Sequence, residues 1–148
     1  MTGTHLIIAG IAVLLAVGAV GLTAKLSAQA RAAFVYAQLA LITGVYVGFA
    51  VVALDKAAFI GRSELSLMMI EGVLALAIIF AGLAALMSSK PWLLGVLILF
   101  HGAVDVAHLV MGTGHVPAQY AFACVIYDAI VGGAAIYLLS EKRPQTEG

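Results

Sequence analysis

The sequence predicts an all-α integral membrane bundle of five transmembrane helices, with the N-terminus outside and the C-terminus inside. Three observations carry this reading. Of 148 residues, 64% are hydrophobic and only 9% are charged, whereas a soluble domain has about 25% charged residues and less than half apolar ones. A globule of this size keeps much of its surface in water and could not hide that excess. The apolar residues also fall into five stretches of the length that crosses a bilayer, roughly 20 residues each. Finally, the links between them are short, and backbone polar groups in lipid must be satisfied within each helix, which leaves one compact helical bundle.

The first stretch runs from about Leu6 to Leu22, ahead of Lys25. Its leading residues, Met1 to His5, carry no Lys or Arg, so it reads as a retained span and not as a cleaved signal peptide. The second runs from about Ala32 to Leu54, between Arg31 and the Asp55-Lys56 pair, and the third from about Leu65 to Met87, interrupted by Glu71. Pro91 suits a first helical turn, and the fourth stretch follows it from Trp92 to about Met111. The turn Gly112-Thr113-Gly114-His115-Val116-Pro117 separates it from the fifth, Ala118 to Leu139. The whole of 1–140 reads as one domain with consecutive helices as antiparallel neighbours, and 141–148 as a short polar tail.

Charge sets the expected orientation. With the N-terminus outside, the inner side holds Lys25, Arg31, Lys90, Lys142 and Arg143, and the outer side holds Lys56 and Arg62. The flanking charges read as interfacial anchors. Seven Lys and Arg balanced by seven Asp and Glu, with no basic block, exclude a nucleic-acid partner. The single cysteine, Cys124, excludes a disulfide framework. The expected partners are the lipid bilayer and either further copies of the chain or a larger membrane complex. Small size and a composition rich in Ala, Gly and Val point to a bacterial inner membrane.

Ionisable residues inside a bilayer are costly and usually face the bundle interior, which makes each a candidate for function. Here they are Glu71, His101, Asp105, His108 and Asp128, with His5 and His115 at helix ends. At 1.5 Å per residue, Glu71, Asp105 and Cys124 lie roughly 9 Å below the outer edge, and His101 and Asp128 roughly 15 Å below it. All the histidines and buried carboxylates therefore share the outer half. The inner half offers only Tyr36, Gln38, Tyr137, Ser88 and Ser89.

Helical phase agrees with depth. The spacing 101, 105, 108 puts three polar side chains on one face, with Gly102 and Ala103 beside them to let neighbours approach. On the fifth helix Tyr120, Cys124, Tyr127 and Asp128 form one stripe, and Gly132 and Gly133 below it suit close packing. Gly44 and Gly48 form a GxxxG on the second helix, expected to pack against a sister helix or a second copy. Trp92, Tyr36 and Tyr120 fit aromatic belts.

His and carboxylate ligands three or four residues apart can clamp an ion from one helix. Asp105 can pair with His101 or with His108, but the two histidines are about 10.5 Å apart along the axis and do not reach one ion together. Glu71, Asp128 and Cys124 would complete the shell from neighbouring helices, with Tyr127, His115 and His5 as further pocket residues. A mixed N/O set favours zinc, iron or manganese, and Cys124 with Met68 would favour copper. The same-face histidines do not suit an axial haem pair.

Each of these residues alone can be hydrogen-bonding glue at about 0.6–2 kcal/mol per contact. Three carboxylates and two histidines in half a bilayer exceed that need. The first expectation is a metal-handling or redox membrane component. The second is an acid–base enzyme acting on a lipid or isoprenoid. The His101–Asp105 spacing with Glu71 on another helix resembles membrane-embedded sterol isomerases of five helices. That resemblance, over two or three residues and a helix count, implies a lipid-facing cavity in which His and acidic residues stabilise a carbocation. The remaining expectations are a non-catalytic packing subunit and a proton-coupled transporter, the latter disfavoured because the polar residues stop near the midplane.

Overall fold

The computed structural model describes residues 3–55, 62–112 and 116–140. They form five helices: α1 Gly3–Lys25, α2 Ala28–Asp55, α3 Arg62–Met87, α4 Leu93–Met111 and α5 Ala118–Ser140. No strand occurs among the described residues. Each of the five is long and apolar enough to cross a membrane. The large side chains left exposed are of the kind hydrocarbon solvates, among them Leu14, Leu41, Phe80, Met87 and Val110. The helices begin and end within a few residues of the expected spans, and the tail 141–148 lies outside the described residues.

Consecutive helices are not all close neighbours. The α2–α3 and α4–α5 pairs pack along their length, but α1 packs mainly on α5 and meets α2 far less. The reason lies in the faces. Ala12, Ala16 and Thr23 form the buried strip of α1, and a strip of such small side chains docks closely on another helix. The short link to α2 joins only the ends.

Glycines govern the α4–α5 crossing. A Cβ placed on Gly95 would lie 2.6 Å from the carbonyl oxygen of Gly132, and one on Gly102 would lie 2.9 Å from the Cβ of Asp128. The backbones are in contact at Gly95, and at Gly102 the Asp128 side chain lies against the helix, so a Cβ at either position forces a neighbour to shift. Ala103 and Gly133, expected beside this seam, are exposed instead, and a Cβ on Gly133 meets nothing within 4 Å. The same holds for Gly44 and Gly48, so the GxxxG of α2 does not seat a sister helix. α4 ends at Gly112, whose left-handed φ of 64° lets its N–H cap the carbonyl of His108.

At the opposite end of the bundle Arg31 departs from its expected role as an interfacial anchor. It is buried at 3% exposure. Its guanidinium donates to the carbonyls of Thr23 (3.2 Å), Ala24 (3.3 Å) and Leu26 (3.4 Å), and to Leu138 of α5 at 2.8 Å. Helix C-termini leave carbonyls without intrahelical donors and carry partial negative charge. One planar cation therefore caps α1 and α5 together and fixes α2 to both.

Thermal unfolding of the detergent-solubilised protein checks both features. Gly102→Ala should cost about 1–3 kcal/mol by overpacking the α4–α5 seam, while Gly133→Ala should be neutral or stabilising by up to about 1 kcal/mol. Arg31→Met, which strands buried carbonyls, should cost about 1–3 kcal/mol. An unchanged midpoint for Arg31→Met would show that water already serves those carbonyls.

Candidate functional site

The close α4–α5 seam brings two polar residues face to face. His101 lies one turn above Ile98 on the buried face of α4, and Asp128 projects from α5 opposite Gly102. His101 Nδ1 is 2.7 Å from Asp128 Oδ2 and 3.2 Å from Asp105 Oδ2, one turn along its own helix. Asp105 and Asp128 are wholly buried and His101 is 2% exposed. One potential ligand atom from each of the three lies within 4.8 Å of the other two.

The other oxygen of Asp105 accepts a hydrogen bond from the hydroxyl of Tyr46 on α2. The Tyr46 ring is itself buried, edge-on to His101 with centroids 5.3 Å apart and stacked on His108 at 5.4 Å. α2, α4 and α5 thus each place a polar group at the centre. Three atoms there have no hydrogen-bond partner among the described residues: His101 Nε2, Asp105 Oδ2 and Asp128 Oδ1. Buried polar atoms are rarely left so, and each costs about 1–3 kcal/mol.

The remaining expected site residues divide into three groups. His108 and Glu71 come together with each other, Nε2 to Oε1 at 3.6 Å, and both are buried. They do not join the group of three. Cys124 is a buried free thiol, and Tyr127 turns from Asp128 toward α2, donating to Gln38 Oε1 at 2.6 Å. Tyr120 is not a belt residue: its ring packs on Phe49 and Tyr46 inside the bundle, and its hydroxyl reaches the carbonyl of Ile42 at 3.4 Å. His5 lies apart, edge-on to Phe122 at 5.5 Å, and His115 lies outside the described residues.

Tyr46 is the site residue that the sequence pattern did not single out. A buried tyrosine hydroxyl usually finds a partner. Counted back from the outer end of the second span at 1.5 Å per residue, Tyr46 sits about 12 Å down, between the levels expected for Asp105 and His101. That shared depth is the signal that could have found it.

A groove of about 330 Å³ opens between α1, α2 and α5, lined by Ala12, Leu15, Gln38, Leu41, Cys124 and Tyr127 among others. A cavity of about 280 Å³ lies at the α4–α5 turn, with His108, Gly112, Val116, Pro117 and Ala121 in its wall. A third, of about 20 Å³, lies between α2, α3 and α4 and is bordered by Tyr46, Glu71 and His101.

Five apolar helices around a buried His/Asp/Asp group define a multi-pass membrane protein with a polar centre. Comparison with protein-family models, with curated proteins and with solved structures finds no match for the chain.

Removing the Tyr46 hydroxyl should expose the cost of the centre. Tyr46→Phe leaves Asp105 Oδ1 without its donor and should lower stability by about 1–3 kcal/mol in chemical or thermal unfolding. A loss below about 0.3 kcal/mol, well under the penalty for an unpaired buried acceptor, would mean that the carboxylate is solvated by another route.

Proposed function

We propose that this chain is a membrane metal-binding protein, its ion held by His101, Asp105 and Asp128. The observation that carries this reading is the convergence of three buried residues that each offer one N or O donor within 4.8 Å of the others. First-row cations bind such ligands at about 2.0–2.2 Å, which separates tetrahedral neighbours by about 3.4 Å. Donors now 2.7 and 3.2 Å apart need only lose the shared proton and move outward slightly. Tyr46 supports the role by holding Asp105 from behind, as partners of ligating carboxylates do. Cys124 does not belong to the group, so zinc, iron or manganese fits better than copper. Three protein ligands leave a coordination position open, the arrangement of a reactive or exchanging site rather than a closed structural one. The positive-inside count supports an N-out, C-in orientation with the centre in the outer half, and small size with an Ala-, Gly- and Val-rich composition supports a bacterial inner membrane.

The groove on α1, α2 and α5 supports a second reading, acid–base chemistry on a lipid or isoprenoid. Its wall is largely apolar and reaches Cys124, one helical turn from Asp128.

Elemental analysis separates the two. The purified protein should contain close to one equivalent of a first-row transition metal, and Asp128→Asn should lose it while remaining helical by circular dichroism. A wild type without metal after purification and after dialysis against zinc, iron(II) and manganese would sink the metal reading. Identification of lipids co-purified in the groove would then be the next step.

A further inference from the structure

The groove between α1, α2 and α5 holds a polar group that the His/Asp/Asp centre does not use. Gln38 lines the groove and is only 7% exposed. Its Oε1 accepts from the Tyr127 hydroxyl at 2.6 Å, and its Nε2 meets the carbonyl of Phe34, on its own helix, at 3.4 Å. That carbonyl fixes which end of the amide is nitrogen, because a flipped amide would set two oxygens against each other. A primary amide has two N–H donors, so the second has no acceptor among the described residues. Both tyrosine hydroxyls in the same wall direct their protons elsewhere, Tyr127 to Gln38 and Tyr120 to the carbonyl of Ile42. The groove therefore offers one free N–H in a largely apolar wall that no charged side chain lines.

Depth narrows the ligand further. Arg31 donates to the carbonyl of Leu138, which sets the start of α2 beside the end of α5. Gln38 lies about 15 Å from the Ala28 end of α2, and Tyr127 about 14 Å from the Ala118 end of α5. Those ends belong to opposite faces of the bundle, so the pair sits near the middle of a hydrocarbon core of about 30 Å. Phospholipid headgroups stay outside that core, and an ion does not leave water for it. Leu15 and Leu41 of the groove wall are 62% and 74% exposed, so its rim lies at the outside of the bundle. A volume of about 330 Å³ suits a small molecule, and the Tyr120 and Tyr127 side chains suit a flat ring.

We infer that the groove binds a neutral lipid with a ring carbonyl, of the quinone class, whose carbonyl oxygen accepts from Gln38 Nε2. This names the ligand class for the groove on which the second reading above rests, and it does not depend on a metal in the centre. A lipid alcohol fits less well, because its own proton would need an acceptor and Gln38 Oε1 is already taken by Tyr127.

The test titrates the full-length protein in detergent with decylubiquinone, whose fully substituted ring does not add the Cys124 thiol, and with decylbenzene, which has a ring and tail but no carbonyl. Calorimetry should give close to one quinone per chain, bound at least tenfold more tightly than decylbenzene. Gln38→Met, which keeps the bulk and removes the N–H, should bring the two ligands within threefold while binding decylbenzene as wild type does, a sign that the groove is intact. Ala123→Phe and Leu15→Trp, which fill the groove from α5 and from α1, should each weaken the quinone at least tenfold and stay helical by circular dichroism. Equal binding of both ligands by wild type would overturn the carbonyl and leave a lipid groove standing. A preference for the quinone that survives in Gln38→Met would overturn the assignment to Gln38, and unaltered binding in both filled variants would overturn the location. A wild type that binds neither ligand would overturn this inference and the second reading together.

Discussion

Two carboxylates inside a hydrocarbon layer must be neutralised within the bundle, and the arrangement of α2, α4 and α5 follows from that requirement. An isolated buried charge is prohibitively costly, so it acquires a partner or loses its charge. Asp128 meets His101 only because Gly102 leaves room for α5 to lie against α4; a Cβ there would meet Asp128 at 2.9 Å. Asp105 is reached by the same imidazole from one turn away and by Tyr46 from α2. The glycine seam and the polar centre are thus one feature. Packing brings the groups together, and the need to keep them paired penalises any other register of the two helices.

The far end of the bundle solves the converse problem. There the unpaired groups are carbonyls at helix C-termini, and the neutralising group is the Arg31 guanidinium. Its four acceptors come from α1, from α5 and from the turn before α2. α1 has few contacts with α2 along its length, so this clasp and the Ala12–Ala16 strip decide where it lies. The groove between α1, α2 and α5 is a consequence: α1 is tied at one end and docked on α5, leaving a gap lined by Leu15 of α1 and Leu41 of α2.

The five spans were legible because hydropathy and length alone specify a helix that crosses a bilayer. Depth was legible too, since a fixed rise per residue put His101 level with Asp128, and the two are in contact. What depth cannot supply is the rotation of each helix about its axis and the choice of neighbour. His101, Asp105 and His108 share one stripe, yet His101 turns to α5 while His108 turns to α3. Helices that cross at an angle present one stripe to different partners at different heights. Glycine spacing misled for the same reason: Gly44 and Gly48 look like a packing motif but face open space, while Gly95, with no motif around it, lies against Gly132. Arg31 was misjudged because a cation at a span boundary normally faces water, and nothing in its local sequence reveals that two helix ends converge on it.

The proposed metal also bears on the charge accounting within the centre. If the imidazole is doubly protonated, the group retains one negative charge, and its Nε2–H is a donor without an acceptor among the described residues. Protonating Asp128 at Oδ1 removes that charge but creates an O–H that likewise has no acceptor there. Both of these schemes leave a buried donor without an acceptor, at a cost of about 1–3 kcal/mol. On the proposed reading, a divalent cation with a neutral imidazole balances both carboxylates at once. It also makes sense of Tyr46, whose hydroxyl occupies the one Asp105 oxygen turned away from His101 and so holds the other toward the ion. On the proposed reading, the ion replaces the proton shared between the imidazole and the carboxylates, and the tight glycine seam is what keeps those donors within reach of one ion.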